Sequence, residues 1–237
     1  MTPIKKPFRT LLLWDDKTPR TPAEQMACDE ALLQGVGAAV LRIYRWSAPA
    51  VTFGYAQHLS EARRVAGDLP VMRRWTGGGV VFHGHDLTLG LAIPPSEATA
   101  AGTPAEIYRA IHESLLAAII KTTPAARLVT PEESRSGAVC FASPVQGDII
   151  AGASKICGGA LRRSRSGVLY QGSLHSGAAS ARELAAALAE GVEDLENTAA
   201  LESATRQLAE DKYTTPAWLE RRSHSPVTPP RHDFRVF

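Results

Sequence analysis

The sequence predicts an α+β fold, a mixed, largely antiparallel sheet flanked by helices. Three observations carry that prediction. Apolar residues alternate with polar or small ones in several short runs, most clearly at Leu87, Leu89, Leu91 and Ile93. These runs come in sequence-adjacent groups and not in strict strand–helix alternation, which argues against a doubly wound parallel sheet. Two further stretches begin with Thr-Pro and then repeat apolar residues every three or four positions, the pattern of capped amphipathic helices. With 44% hydrophobic and 21% charged residues in 237, the chain can bury a core without disulfide staples, and disordered or collagen-like readings are excluded.

Taken in order, Arg9–Trp14 reads as a strand. Pro22–Gly35 reads as a helix. Thr21 caps it, Pro22 suits its first turn, and Glu24 completes a capping box. Ala27, Cys28, Ala31 and Leu32 give it one buried stripe, and Gly35 and Gly37 end it. Ala39–Trp46 alternates, with Leu41 and Ile43 opposite Arg42 and Tyr44. Val51–Phe53 and Val71–Arg74 read as short strands, and Leu87–Ile93 as a longer one that stops at Pro94-Pro95. A helix follows Thr103-Pro104, with Ile107, Ile111 and Leu115 four apart and Tyr108 and Ala118 widening the stripe. Asp148–Ile150, Lys155–Leu161 and Val168–Gly172 read as a hairpin or meander. The last third reads as helical, Ala181–Glu190 and then Thr198–Glu210, before a tail rich in Pro, Ser and Arg. The expected organisation is a main domain over 1–180, helices over 181–220 packed on that domain, and an extended tail over 221–237.

The formal net charge of +2 demands neither nucleic acid nor an anionic membrane as partner. No apolar run approaches the ~18 residues of a membrane span, and the lysines near the N-terminus precede no apolar segment, so a cytoplasmic protein is expected. Three cysteines, Cys28, Cys140 and Cys157, do not suggest a disulfide framework. No metal site is expected, because the histidines lack zinc-ligand spacing.

The most informative stretch is Arg73-Arg74-Trp75-Thr76-Gly77-Gly78-Gly79-Val80-Val81-Phe82-His83. Glycine has no Cβ, so backbone N–H groups there can approach a ligand closely. The two arginines could neutralise a phosphate or carboxylate. This is neither a P-loop nor a dinucleotide fingerprint, because no Gly-Lys-Ser/Thr follows and the next element reads as a strand.

These residues resemble the signature of the lipoate ligase and octanoyltransferase family, which shares its catalytic domain with biotin protein ligases. The resemblance continues through Asp86-Leu87-Thr88, and upstream through Asp29–Leu33 and Pro49–Gln57. Downstream, Ser154-Lys155-Ile156-Cys157-Gly158-Gly159-Ala160 is similar to a further family segment, with Gly159 where Ser is usual. Leu169–Leu174 is similar to the closing strand. The resemblance implies a biotin/lipoate protein ligase-like catalytic domain. It also implies that Gly77, Gly78, Gly79, Val80, Val81 and Phe82 line an acyl tunnel, with His83 and Gly158 beside it, and that Arg74 contacts the acyl carboxyl region or a phosphate. Lys155 would hold the acyl carbonyl or, in a ligase, the adenylate oxygens. His83 is open between a general base and a scaffold donor.

Three activities share the family fold: an ATP-dependent ligase working through lipoyl-adenylate, and octanoyl and amide transferases working through a cysteine thioester. Val139-Cys140-Phe141, followed by Pro144, resembles the segment that carries the nucleophile in the cysteine-dependent octanoyl-acyl carrier protein:protein transferases. A thiolate suits thioester exchange, and a nearby ammonium such as that of Lys155 would raise the thiolate fraction. The resemblance therefore implies catalysis by Cys140 and Lys155. Acyl carrier protein would be the donor, a lysine of a lipoyl domain or glycine-cleavage H protein the acceptor, and no cofactor would be needed. The alternative is a ligase, which needs ATP and Mg2+. A third reading is an inactive carrier-binding protein. The roughly 60 residues after the resemblance are short for an accessory domain, which favours the transferase.

Overall fold

A computed structural model describes residues 5–134, 143–175 and 179–221. In chain order the elements are β1 (Phe8–Asp16), α1 (Pro22–Gly35), β2 (Val40–Tyr44), β3 (Ala50–Phe53), α2 (Leu59–Ala66), β4 (Val71–Arg73), β5 (Val81–His83) and β6 (Leu87–Ile93). Then come α3 (Pro104–Ile119), β7 (Ala126–Leu128), β8 (Ile149–Ala151), β9 (Ser154–Ser164), β10 (Gly167–Leu174), α4 (Ala181–Leu188), β11 (Ala189–Asp194) and α5 (Ala199–Leu208). A π turn at Ala209–Tyr213 and the short α6 (Pro216–Leu219) close the described chain.

Eight strands form one sheet in the order β11-β1-β2-β6-β10-β9-β8-β7. β11, β1 and β2 run parallel, the latter two joined by α1 as a crossover, and the remaining neighbours are antiparallel. This is the mixed, largely antiparallel sheet that the sequence predicts. A second sheet, β4-β3-β5, stands apart from it.

The capping boxes at Thr21/Glu24 and Thr103/Glu106 both form, so α1 and α3 start where expected. The register then sorts the large sheet into two faces. Leu41, Ile43, Leu89, Leu91 and Tyr170 point to one, where Ile107, Ile111 and Leu115 of α3 and Leu184 and Leu188 of α4 complete the main core. Each such side chain contributes roughly 2 kcal/mol of burial. On the other face, Tyr44, Thr88, Ser173 and Gly158 form one row across β2, β6, β10 and β9. Arg42, Gly90, Gln171 and Ala160 form the next.

Helix α1 covers that second row. Arg42 is fully buried and donates to Asp29 Oδ1 at 2.8 Å and to Asp16 Oδ2 at 2.9 Å. Gly90 makes room for Asp29, since a Cβ there would lie 2.5 Å from its Oδ1. Asp29 also accepts from Tyr44 Oη and from Gln171 Nε2, at 3.1 and 2.7 Å. Buried charges persist when their hydrogen-bonding capacity is met in this way.

Several expectations need correction. Helix α1 is buried on nearly every side, not along one stripe, with Gln25, Asp29 and Glu30 inside. The reason is tertiary: α5 and the π turn pack on its outer side, where Glu30 accepts from Lys212 Nζ and Tyr213 Oη, each at 2.5 Å. The stretch 181–220 is not helical throughout. Its first helix ends at Leu188, and Ala189–Asp194 adds a parallel edge strand beside β1. That strand has one β-branched residue, Val192, and is held by backbone pairing, so its composition gives little strand signal. The short α2 and β7 were also not anticipated. Residues 222–237, most of the expected tail, lie outside the described residues. Among the described residues no helix is long and apolar enough to cross a membrane.

Candidate active site

The small sheet and the glycine loop lie against the row Tyr44–Thr88–Ser173–Gly158, and a pocket opens between them. Met26, Thr52, Arg74, Gly78, Val81, His83 and Gln171 line it together with that row and Gly159, Ala160 and Gly172. The loop is built by close backbone approach. Gly78 has φ +86°, and a Cβ at Gly54 would lie 2.0 Å from the Gly78 carbonyl oxygen.

Arg74 holds this loop from inside. Its guanidinium donates to the carbonyls of Gly77 and Gly79 at 2.9 and 2.8 Å, and to Thr52 Oγ1 at 2.8 Å. It borders the pocket, and these donors brace the loop. Arg73 turns away and donates to the carbonyls of Tyr55, Gln57, Trp218 and Leu219, fastening the C-terminal segment to β4. Of the expected tunnel residues, Gly78 and Val81 line the pocket. Val80 packs into a separate core with Val51, Phe53 and Leu59. Phe82, 41% exposed, points outward because strand alternation on β5 sends its neighbours inward. Gly77 and Gly79 are not among the lining residues; their carbonyls accept from Arg74.

His83 sits in a closed chain of hydrogen bonds. Its Nε2 is 2.7 Å from Thr52 Oγ1 and its Nδ1 is 2.8 Å from Asp86 Oδ2. The Asp86 carboxylate can only accept, so Nδ1–H donates to it, and a neutral ring then leaves Nε2 to accept from the Thr52 hydroxyl. This is the neutral tautomer. Burial favours the same form, lowering the His83 pKa against the opposing pull of Asp86. Asp86 also accepts from Ser173 Oγ at 2.6 Å and Thr88 Oγ1 at 3.0 Å. Burial alone would raise its pKa, but His83 and these donors hold it well below the usual carboxylate range. The ring stacks on Trp46 with centroids 4.2 Å apart. Both ring nitrogens of His83 thus have partners within the protein.

Lys155, near the start of β9, is buried, its side chain only 1% exposed, with Nζ 2.8 Å from Asp148 Oδ2. It lies over Gly158, one of the residues lining the pocket, and can do so because that position is glycine: a Cβ there would stand 2.2 Å from Lys155 Cε and 2.5 Å from Nζ. Asp148 is itself fixed by Tyr108 Oη at 2.6 Å and the Val145 N–H at 2.7 Å. Gly159 is explained by a different neighbour, the Tyr170 ring, whose Oη would be 2.7 Å from a Cβ at that position. Sequence reasoning did not single out Asp148, Tyr108, Tyr170 or Gln171 for the site. The spacing Asp148–Lys155 around a tight turn was visible, but Tyr108 reads from sequence as one more residue of a helix stripe.

Two cysteines fall within the described residues and both are fully buried. Burial pushes the Cys28 thiol up to about 11 and the Cys157 thiol up to about 12, the latter helped by Asp148. Cys140 lies outside the described residues. Among the described residues no group of three or more His, Cys, Asp or Glu side chains is placed to hold a metal ion.

Comparison with known proteins bears on this arrangement. Octanoyltransferase LipM of Kyrpidia tusciae is 31% identical over 168 residues, covering 64% of this chain and 61% of the relative. The LipM of Geobacillus kaustophilus is 32% identical over 170 residues, covering 65% and 61%. The chain thus spans about three fifths of the length of these relatives. Among solved structures, a lipoate-protein ligase A bound with ATP superposes with a TM-score of 0.66 at 22% identity, covering 88% of this chain and 98% of that one. A bi-partite lipoate protein ligase from Thermoplasma acidophilum, solved in a study with its E2 lipoyl domain, gives 0.61 at 21%, covering 91% and 97%. At these identities the structures establish the shared fold. The family described as "Lipoyl protein ligase A/B catalytic domain" matches residues 21–210, which includes the glycine loop, the His83 chain and the Lys155–Asp148 pair, and the chain belongs to that family.

Proposed function

We propose that the chain is an acyltransferase of lipoate metabolism that moves an octanoyl or lipoyl group through a Cys140 thioester onto a lysine of a lipoyl domain or glycine-cleavage H protein. The observation that carries the reading is the buried Lys155 ammonium, laid over Gly158 at the wall of a pocket. Half of that wall is glycine, alanine, valine and methionine, and the polar other half, Arg74, Thr52, His83, Gln171, Tyr44, Thr88 and Ser173, is bonded to other protein groups. Such a wall suits an acyl chain, with one cation near its carbonyl end. The LipM relatives support transfer.

In this reading the Cys140 thiolate attacks the carbonyl carbon of an octanoyl thioester on acyl carrier protein. The carbon–sulfur bond to the carrier breaks, and the carrier leaves as a thiol after taking a proton. The acceptor lysine, as a free amine, then attacks the Cys140 thioester. A carbon–nitrogen bond forms, the amine gives up one proton, and the Cys140 thiolate is released. Lys155 donates to the carbonyl oxygen as negative charge develops on it in both halves. Cys140 is favoured over Cys28 and Cys157 because those thiols are buried and held protonated. No cofactor enters; ATP and Mg2+ belong to the ligase alternative.

The test is intact-protein mass spectrometry after incubation with octanoyl-acyl carrier protein and no ATP. A hydroxylamine-labile octanoyl adduct that disappears in Cys140→Ala is expected. Acylation of a lipoyl domain only when ATP and free lipoate or octanoate are supplied would establish a ligase instead.

A further inference from the structure

The Lys155–Asp148 pair rests on a layer of side chains from the opposite face of the sheet. Tyr108, on α3, places its hydroxyl between two groups of the site: it donates to Asp148 Oδ1 at 2.6 Å and accepts from the Gly159 N–H at 3.0 Å. We propose that Tyr108 is a positioning residue, whose hydroxyl locks the Asp148 carboxylate to the β9 backbone and thereby sets where the Lys155 ammonium lies over Gly158. The inference rests on the reading of Lys155 as the donor to the acyl carbonyl.

Each neighbour restricts the Tyr108 ring. It stacks on His112 with centroids 4.0 Å apart and planes 22° from parallel. His112 is fully buried, and its Nε2 is 2.9 Å from Tyr170 Oη. The Tyr170 side chain fills the space left by the facing pair Gly159 and Gly172, since a Cβ at Gly159 would lie 2.4 Å from its ring and one at Gly172 2.3 Å from its hydroxyl. The stack therefore continues from α3 through two aromatic rings to the strand pair that walls the pocket. The carboxylate then divides its work: Oδ1 takes Tyr108, and Oδ2 takes Lys155 and the Val145 N–H. Removing the Tyr108 hydroxyl leaves Oδ1 without that donor and the Gly159 N–H without its acceptor. The carboxylate can then rotate, and the ammonium moves with it. Tyr108 touches no reacting atom in this account and acts through Asp148.

Tyr108→Phe is the test, because it keeps the ring and its stack and removes only the hydroxyl. Two readouts are used. The first is the single-turnover rate of Cys140 acylation by octanoyl-acyl carrier protein, expected to fall about 10- to 100-fold with the donor KM changed less than threefold. The second needs no activity: modification of Lys155 by acetic anhydride, followed by peptide mass mapping, is expected to be at least fivefold faster than in the wild type. Asp148→Asn should show the same faster modification, and it serves if Tyr108→Phe does not fold. An active wild type whose Tyr108→Phe variant acylates equally fast, or loses only KM, overturns the proposal. So does unchanged Lys155 protection. A wild type that forms no thioester overturns the transferase reading, and the labelling arm still decides whether Tyr108 holds Lys155 in place.

Discussion

Gly158→Ala isolates the position of the Lys155 ammonium from its presence. A methyl group built on Gly158 would stand 2.2 Å from Lys155 Cε, whereas ordinary contact starts at 3.4 Å, so Cε must retreat by about 1.2 Å. The atoms that give way belong to a flexible side chain, apart from Asp148 Oδ1 at 3.0 Å, so the backbone of β9 can stay in place. The cost in stability is then that of a mild overpacking, about 1–2 kcal/mol, which corresponds to roughly 2–8 °C in Tm for a chain of this size. The cost in rate is larger, because misplacing a preorganised donor by about 1 Å removes on the order of 10²-fold. The assay is the rate of octanoyl-thioester formation on Cys140, followed by intact mass, with thermal unfolding measured alongside. Gly35→Ala, where nothing lies within 4 Å of the added carbon, is the control for substitution itself. A Gly158→Ala protein that acylates within threefold of an active wild type refutes the reasoning, since Lys155 would then tolerate displacement.

Three further predictions follow from the same geometry. Lys155→Met should abolish thioester formation and destabilise the chain by about 3–5 kcal/mol in urea unfolding, because Asp148 stays buried without its cation; adding Asp148→Asn should restore much of the stability and none of the activity. Burial lowers the His112 pKa from 6.5 to about 3, so its contribution to stability is complete above pH 6.5 and is lost as pH falls toward 3. By pH 5 the loss should be about 2 kcal/mol, and His112→Gln should flatten that part of the stability–pH curve. Gly54→Ala, which sets a Cβ 2.0 Å from the Gly78 carbonyl oxygen, cannot be relieved by side-chain motion; it should displace the glycine loop and lower Tm by more than Gly158→Ala.

Much of the fold was legible in the chain because its signals are local. Thr21-Pro22 and Thr103-Pro104 mark helix starts through hydrogen bonds made within one turn, and both capping boxes form. The alternation of Leu87–Ile93 survives because one face of β6 meets the core. β11 was illegible for the opposite reason, since its pairing partner is β1, more than 170 residues earlier in the chain. Of the site, the glycine loop, His83 and Lys155 could be read as a family pattern. Their roles could not all be read. Arg74 reads from sequence as an anion ligand, and only the structure shows its guanidinium donating to Gly77 and Gly79; Phe82 reads as tunnel wall, and strand alternation turns it outward.

What the sequence alone determined is the fold class, the capped helices, most strand positions and the motif pattern of the lipoate ligase and octanoyltransferase family. These depend on periodicity and on residues close together in the chain. Only the tertiary structure decided what each polar group spends its hydrogen bonds on. Asp29 is a core acid under Arg42, Asp148 is the partner of Lys155, and Tyr108 bridges Asp148 to Gly159. The pairings of Asp29 with Arg42 and of Tyr108 with Asp148 and Gly159, across 13 to 51 residues, depend on how strands and helices stack, because a buried polar group must find a partner wherever packing brings one within about 3 Å.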